Sequence, residues 1–115
     1  WYTPAYLTYE NRDNELPVDM HMLFALAAGR RLFVCIGEND LASDPVSMYD
    51  ALQFAKVVWR DGYGREVIPD GSYYDVPFDT PIVSDSVGVI VHSGGHKFAD
   101  SDWDAILSYM ETYVK

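Results

Sequence analysis

"VGVIVHSGGHKF", residues 87–98, decides how this chain folds. Val87 to Val91 run without polar alternation, the pattern of a short strand covered on both faces, as parallel strands are. The run ends in two glycines. Gly94 and Gly95 permit positive φ and carry no side-chain bulk, so the chain can turn sharply at the strand's exit and project His96. Beyond the turn, Ser101 and Asp104 stand in capping-box spacing, and Trp103, Ile106, Leu107, Met110 and Val114 recur at helical steps as a core stripe. The stretch reads as strand, glycine turn, helix.

Working outward, "RRLFVCIG" (30–37) is a second run of the same kind, followed by the polar "ENDLASDP" (38–45). Asp44 as cap and Pro45 at the first helical position open a helix in which Met48, Ala51, Leu52, Ala55, Val58 and Trp59 form one face. Before the first strand, "MHMLFALAAG" (20–29) follows the cap residue Asp19 and stops at Gly29. Its nearly all-round apolar character predicts a helix covered on most sides, with His21 a satisfied core histidine. Residues 1–17 show no sustained period and read as an irregular segment clamped by its aromatics. Residues 61–86 form a long loop punctuated by Gly, Pro and Asp, with Tyr63, Tyr73, Tyr74 and Phe78 between them.

The order of helix, strand, helix, loop, strand, helix predicts an α/β fold with a parallel sheet, here two strands and three helices. A parallel pair buried on both faces needs more sheet beside it. Residues 1–115 are therefore expected to complete a larger sheet. The rest of the sheet would come from preceding chain or from a second copy.

Bulk properties narrow the function. A net charge of −10 argues against nucleic acid, whose affinity begins with Lys and Arg displacing counterions. No apolar run approaches the ~20 residues that span a bilayer, so no membrane partner is expected. The single cysteine, Cys35, cannot form an internal disulfide and reads as a buried, inert thiol.

Functional groups of α/β sheets collect outside the carboxyl ends of the strands. One such end presents Glu38, Asn39 and Asp40; the other presents Ser93, Gly94, Gly95 and His96. An imidazole beside a carboxylate is the pairing that orients a general base. Two bland alternatives stand beside it, a surface turn with an incidental His96 and an Asp40 that merely caps its turn. The G-x-S-x-G elbow of a nucleophilic serine is absent; Ser72 and Ser93 read as turn serines. His92 and His96 are four apart, but the glycines between them deny the helical spacing of a metal site. Neither metal nor cofactor is expected. Asp100, Asp102 and Asp104 read as charges at a helix N-terminus.

Taken together, "NELPVDMHMLFALAAGRRLFVCIGENDLASDP" and "VGVIVHSGGHKFADSDWDAIL" resemble the C-terminal part of the glucuronoyl esterases and the acetyl-xylan-esterase-like α/β-hydrolases around them. The most specific pieces are Leu16-Pro17 with Asp19 and His21, Asp40 with Asp44-Pro45, and Gly94-Gly95-His96 followed by Asp102-Trp103. The resemblance implies a serine esterase of plant cell-wall carbohydrate esters, glucuronoyl or acetyl, secreted or periplasmic. Its nucleophile and oxyanion donors would lie upstream of Trp1. It implies that His96 is the catalytic histidine and that its acid is Asp40 or an upstream Glu. Where the family often carries a Trp between Asp40 and Asp44, this sequence has Ala42 and Ser43, which leaves the ester open. Tyr73 and Tyr74, in a loop expected to wall the crevice, are the candidates for stacking on sugar. The alternatives are a non-catalytic α/β module pairing through its sheet edge, and another hydrolase with the same histidine loop.

Overall fold

Strand β3 (Val87–His92) is the centre of the fold, with all six residues buried. In this computed structural model, which describes residues 4–114, it pairs in parallel with β1 (Leu32–Gly37), from Leu32 opposite Val87 to Gly37 opposite His92. On its other side it pairs antiparallel with β2 (Ile82–Val83). The sheet is thus three-stranded and mixed, in the order β1-β3-β2. The parallel pair is the one expected from the two apolar runs. The third strand comes from within residues 61–86, too short to leave a periodic signal.

Side chains alternate across the strands and so divide between two layers. Val34, Ile36, Val87, Val89 and Val91 join one core with Tyr49, Leu52, Ala55 and Trp59, brought by α3 (Pro45–Ala55) and the π-helical turn Val58–Gly62 that follows it. On the opposite face the ring of Phe33 lies 5.1 Å from that of Tyr109 on α4 (Asp100–Tyr113). Helix α3 begins as its sequence requires. Asp44 adopts a positive φ of 49° and accepts hydrogen bonds from Ser47, with Pro45 at the first helical positions.

Three expectations are corrected. The helix at residue 20, α2 (Met20–Ala25), is capped by Asp19 as expected, but none of its residues is buried. It packs chiefly against α3, so Met22, Leu23 and Leu26 remain exposed. His21 is accordingly half-buried and paired with Asp19 at 3.3 Å, rather than enclosed in a core.

Within the described residues helix α4 packs by a different face from its anticipated stripe. Asp102, Ala105 and Tyr109 face inward, while Trp103, Leu107, Met110 and Val114 are exposed. The cause is at its first turn, where Ala99 is the cap and Asp102 accepts the Ala99 N–H at 2.8 Å, not Ser101 with Asp104. Asp102 also meets His92 beneath the sheet's end, which fixes the rotation of the helix.

Residues 61–86 are not a free loop. A 3-10 turn, Tyr73–Asp75, and buried Ile68, Tyr73, Val76, Ser84 and Ser86 place much of the segment over the core, and Phe78 adds a parallel bridge to Val91. In the N-terminal stretch a short helix, α1 (Pro4–Leu7), and a 3-10 turn, Asp13–Glu15, lie without buried residues. Of the aromatics expected to clamp it, Trp1 and Tyr2 lie outside the described residues; Tyr9 carries the Arg12 guanidinium over its ring.

Candidate active site

Because β1 and β3 are adjacent and parallel, their carboxyl ends leave the sheet side by side. Pairing continues past the strands: the Glu38 N–H donates to His92 O at 3.0 Å and the Asn39 N–H to Gly94 O at 2.8 Å. Asp40 is then set by a turn in which its N–H donates to Gly37 O and its carbonyl accepts from Ser43. On the other exit, Gly94 adopts a φ of +129°, a conformation that side chains disfavour. The turn delivers His96 over the end of β1.

There His96 Nδ1 lies 2.7 Å from Asp40 Oδ2. The Asp40 side chain is 10% exposed, the His96 side chain 80%. The hydrogen bond from His96, and after it those from Ser43, hold the Asp40 carboxyl below its ordinary range. Ionised Asp40 accepts the Nδ1–H, which leaves the lone pair on Nε2. No other described residue hydrogen-bonds this ring. A cavity of about 250 Å³ adjoins the pair, with Met48, Lys97 and Phe98 among its walls.

The loop carrying His96 is held from below by groups that sequence reasoning missed. Asp79, itself at a φ of 54°, accepts the Ser93 N–H at 2.9 Å and the Ser93 hydroxyl at 2.6 Å. Ser93 first, through its hydroxyl, lowers the Asp79 pKa. Under the loop, His92 and Asp102 form a second imidazole–carboxylate pair, buried to 3% and 0% exposure. The available signal was an imidazole at the end of a strand buried on both faces, which demands a partner.

Other candidates separate from the site. Tyr73 is buried, its ring 6.3 Å from that of Tyr49, so it is core rather than a stacking platform; Tyr74 is exposed, and neither lines the cavity beside His96. The hydroxyl of Ser93 is committed to Asp79, and Ser72 caps the turn at Tyr74. Among the described residues, no serine hydroxyl is hydrogen-bonded to His96. Burial, and then the charge of Asp102, push the Cys35 thiol up to about 12, which keeps it protonated and poorly nucleophilic. No group of three His, Cys, Asp or Glu among the described residues converges as metal ligands would.

The family model described as "Glucuronyl esterase, fungi" matches residues 1–62. The chain belongs to this esterase family. Among curated relatives, Carbohydrate esterase MZ0003, from an unknown prokaryotic organism, is 25% identical over 116 residues, covering 99% of this chain and 26% of the relative. The 4-O-methyl-glucuronoyl methylesterase of Podospora anserina is 28% identical over 82 residues, 67% of this chain and 17% of its own. Among solved structures, the glucuronoyl esterase from Solibacter usitatus superposes with a TM-score of 0.83 at 31% identity, over all of this chain and 28% of that one. A promiscuous CE15 esterase from a marine bacterial metagenome gives 0.87 at 25% identity, over 98% of this chain and 28% of that one. The fold is accordingly that of a segment of an α/β-hydrolase esterase. This segment spans about a quarter of the length of the relatives it matches most fully.

Proposed function

We propose that this chain supplies the general base and its orienting acid to a serine carboxylic-ester hydrolase acting on carbohydrate esters of the plant cell wall, glucuronoyl or acetyl. The nucleophilic serine would reside in chain preceding Trp1. The observation that carries this reading is the 2.7 Å contact between His96 Nδ1 and Asp40 Oδ2 across two strand ends, with Nε2 left free to take a proton.

In acylation, Nε2 removes the proton from the serine hydroxyl as the oxygen attacks the ester carbonyl, and the imidazolium that forms is stabilised by Asp40. The tetrahedral intermediate collapses with cleavage of the ester C–O bond, and Nε2–H protonates the departing alcohol. Deacylation repeats the sequence with water as nucleophile, returning the serine and releasing the acid. Asp40 stays ionised throughout, consistent with the lowering of its pKa by His96 and Ser43.

Membership of the esterase family supports ester hydrolysis, and the residues framing His96 are compatible with an upstream serine approaching the cavity. The exposed Phe98, Trp103, Leu107 and Met110 are the kind of surface that further chain would cover.

The decisive experiment compares hydrolysis of an aryl acetate and of an alkyl glucuronate by the full protein carrying this chain. His96→Ala should reduce kcat by ~10³-fold or more. Asp40→Asn should cost a comparable factor if Asp40 is the orienting acid and far less if an upstream Glu fills that role. The 115-residue chain alone should show no turnover. Full activity in the His96→Ala protein would overturn the assignment.

A further inference from the structure

The buried pair beneath the loop is connected in a way that simple charge satisfaction does not require. His92 ends β3, and its Nδ1 lies 3.0 and 2.9 Å from the two oxygens of Asp102. Its other nitrogen, Nε2, lies 3.3 Å from Gly95 O, the carbonyl immediately before His96. Asp102 in turn accepts the Ala99 N–H at 2.8 Å, three residues after His96. One buried pair therefore grips the backbone on both sides of the exposed imidazole.

The surroundings leave little slack. Gly95 O also accepts the Lys97 N–H at 2.8 Å, closing a tight turn around His96, and Gly94 O is held by the Asn39 N–H at 2.8 Å. A methyl on Gly37 would lie 3.1 Å from His92 Nε2, so β1 abuts the ring. A backbone carbonyl pinned next to a side chain's Cα sets where that side chain starts.

We propose that His92 and Asp102 are positioning residues for His96: they hold the Gly95 carbonyl and the Ala99 amide so that the His96 ring meets Asp40. This deepens the hydrolase reading and rests on it for its catalytic consequence, though the structural consequence can be read without any turnover. The contact that matters is the one from Nε2 to Gly95 O. The contact to Asp102 orients the ring that makes it.

Two conservative variants separate positioning from mere core satisfaction. In the full protein, His92→Gln places an amide nitrogen near Nε2 and can still donate to Gly95 O, whereas His92→Asn places one near Nδ1 and can serve only Asp102. His92→Leu removes both bonds.

Two readouts apply: steady-state hydrolysis of an aryl acetate, and long-range ¹H–¹⁵N spectra of histidine-labelled protein that report the His96 tautomer. His92→Leu should lower kcat by about 10–100-fold with KM nearly unchanged, the scale of a displaced catalytic group. It should also convert His96 from the Nδ1–H form to a mixture. His92→Gln should restore both readouts more fully than His92→Asn.

Wild-type kcat and His96 spectra in a folded His92→Leu protein would overturn the proposal, as would an Asn variant equal to or better than Gln. If His92→Leu does not fold, the Gln and Asn variants decide. If His96→Ala retains esterase activity, the hydrolase reading fails, and the tautomer spectra still decide whether His92 positions His96.

Discussion

Gly37→Ala is the sharpest test of how the site is framed. A Cβ at residue 37 would lie 2.6 Å from Gly95 O, 3.1 Å from Gly95 C and 3.1 Å from His92 Nε2. The nearest atom is backbone, so no rotamer change relieves the contact. The histidine loop must retreat by about 0.4 Å to reach the 3.0 Å below which real Cβ contacts are essentially unknown, and further for ordinary contact in a close-packed interior. The Glu38–His92 and Asn39–Gly94 hydrogen bonds, at 3.0 and 2.8 Å, oppose that retreat.

Overpacking of this kind costs about 1–3 kcal/mol. His96 follows Gly95 directly, so its 2.7 Å bond to Asp40 should lengthen by a few tenths of an ångström. Since a misplacement of about 1 Å can cost about 100-fold, roughly 10-fold in kcat is expected. The assay is a denaturant midpoint at unchanged slope together with aryl acetate turnover of the full protein. Gly62→Ala is the control, because its Cβ would meet nothing closer than Val58 Cγ1 at 3.8 Å. If Gly37→Ala matches Gly62→Ala in both measurements, the close fit of β1 under the histidine loop is refuted.

Two further outcomes follow from the same geometry. Asp40 and Asp79 have folded pKa values below the ordinary 3.8, lowered first by His96 and by Ser93 respectively. Their stabilisation is complete above 3.8 and is lost as pH falls through the lower folded values, so denaturant midpoints should drop as pH is lowered from about 4. Asp79→Asn should make that drop shallower; an identical acid profile would count against a native-state role for this carboxylate. Tyr73→Ala should destabilise by about 3 kcal/mol, as loss of a buried aromatic does, whereas Tyr74→Ala should stay within about 0.5 kcal/mol. Equal effects in thermal or chemical unfolding would contradict the burial of Tyr73, and a raised KM in either variant would return these tyrosines to the substrate site.

Much of the frame was legible from residue pattern. The runs at 32–36 and 87–91 carry no charged or strongly polar residue, so they could become buried strands, and Asp44-Pro45 carries its own capping chemistry. These are local preferences that act before any distant contact forms. The neighbouring strand ends, and with them the approach of His96 to Asp40, followed from parallel pairing.

Helix α4 shows where local pattern ceases to be enough. Trp103, Leu107, Met110 and Val114 satisfy a helical period, and so do Asp102, Ala105 and Tyr109. The choice between the two faces was made by Asp102, which burial would penalise without the His92 imidazole and the Ala99 amide to receive it. Tyr73 likewise carries no mark separating it from Tyr74; only the position of Tyr49 on α3 draws one inward. Residue spacing alone thus settled the parallel pair β1 and β3 and the caps at Asp19 and Asp44, and offered the meeting of an imidazole with a carboxylate as one reading. Helix rotation, the short strand β2 and the second His–Asp pair were decided by tertiary packing, because each depends on the match between a polar or bulky group and a partner distant along the chain.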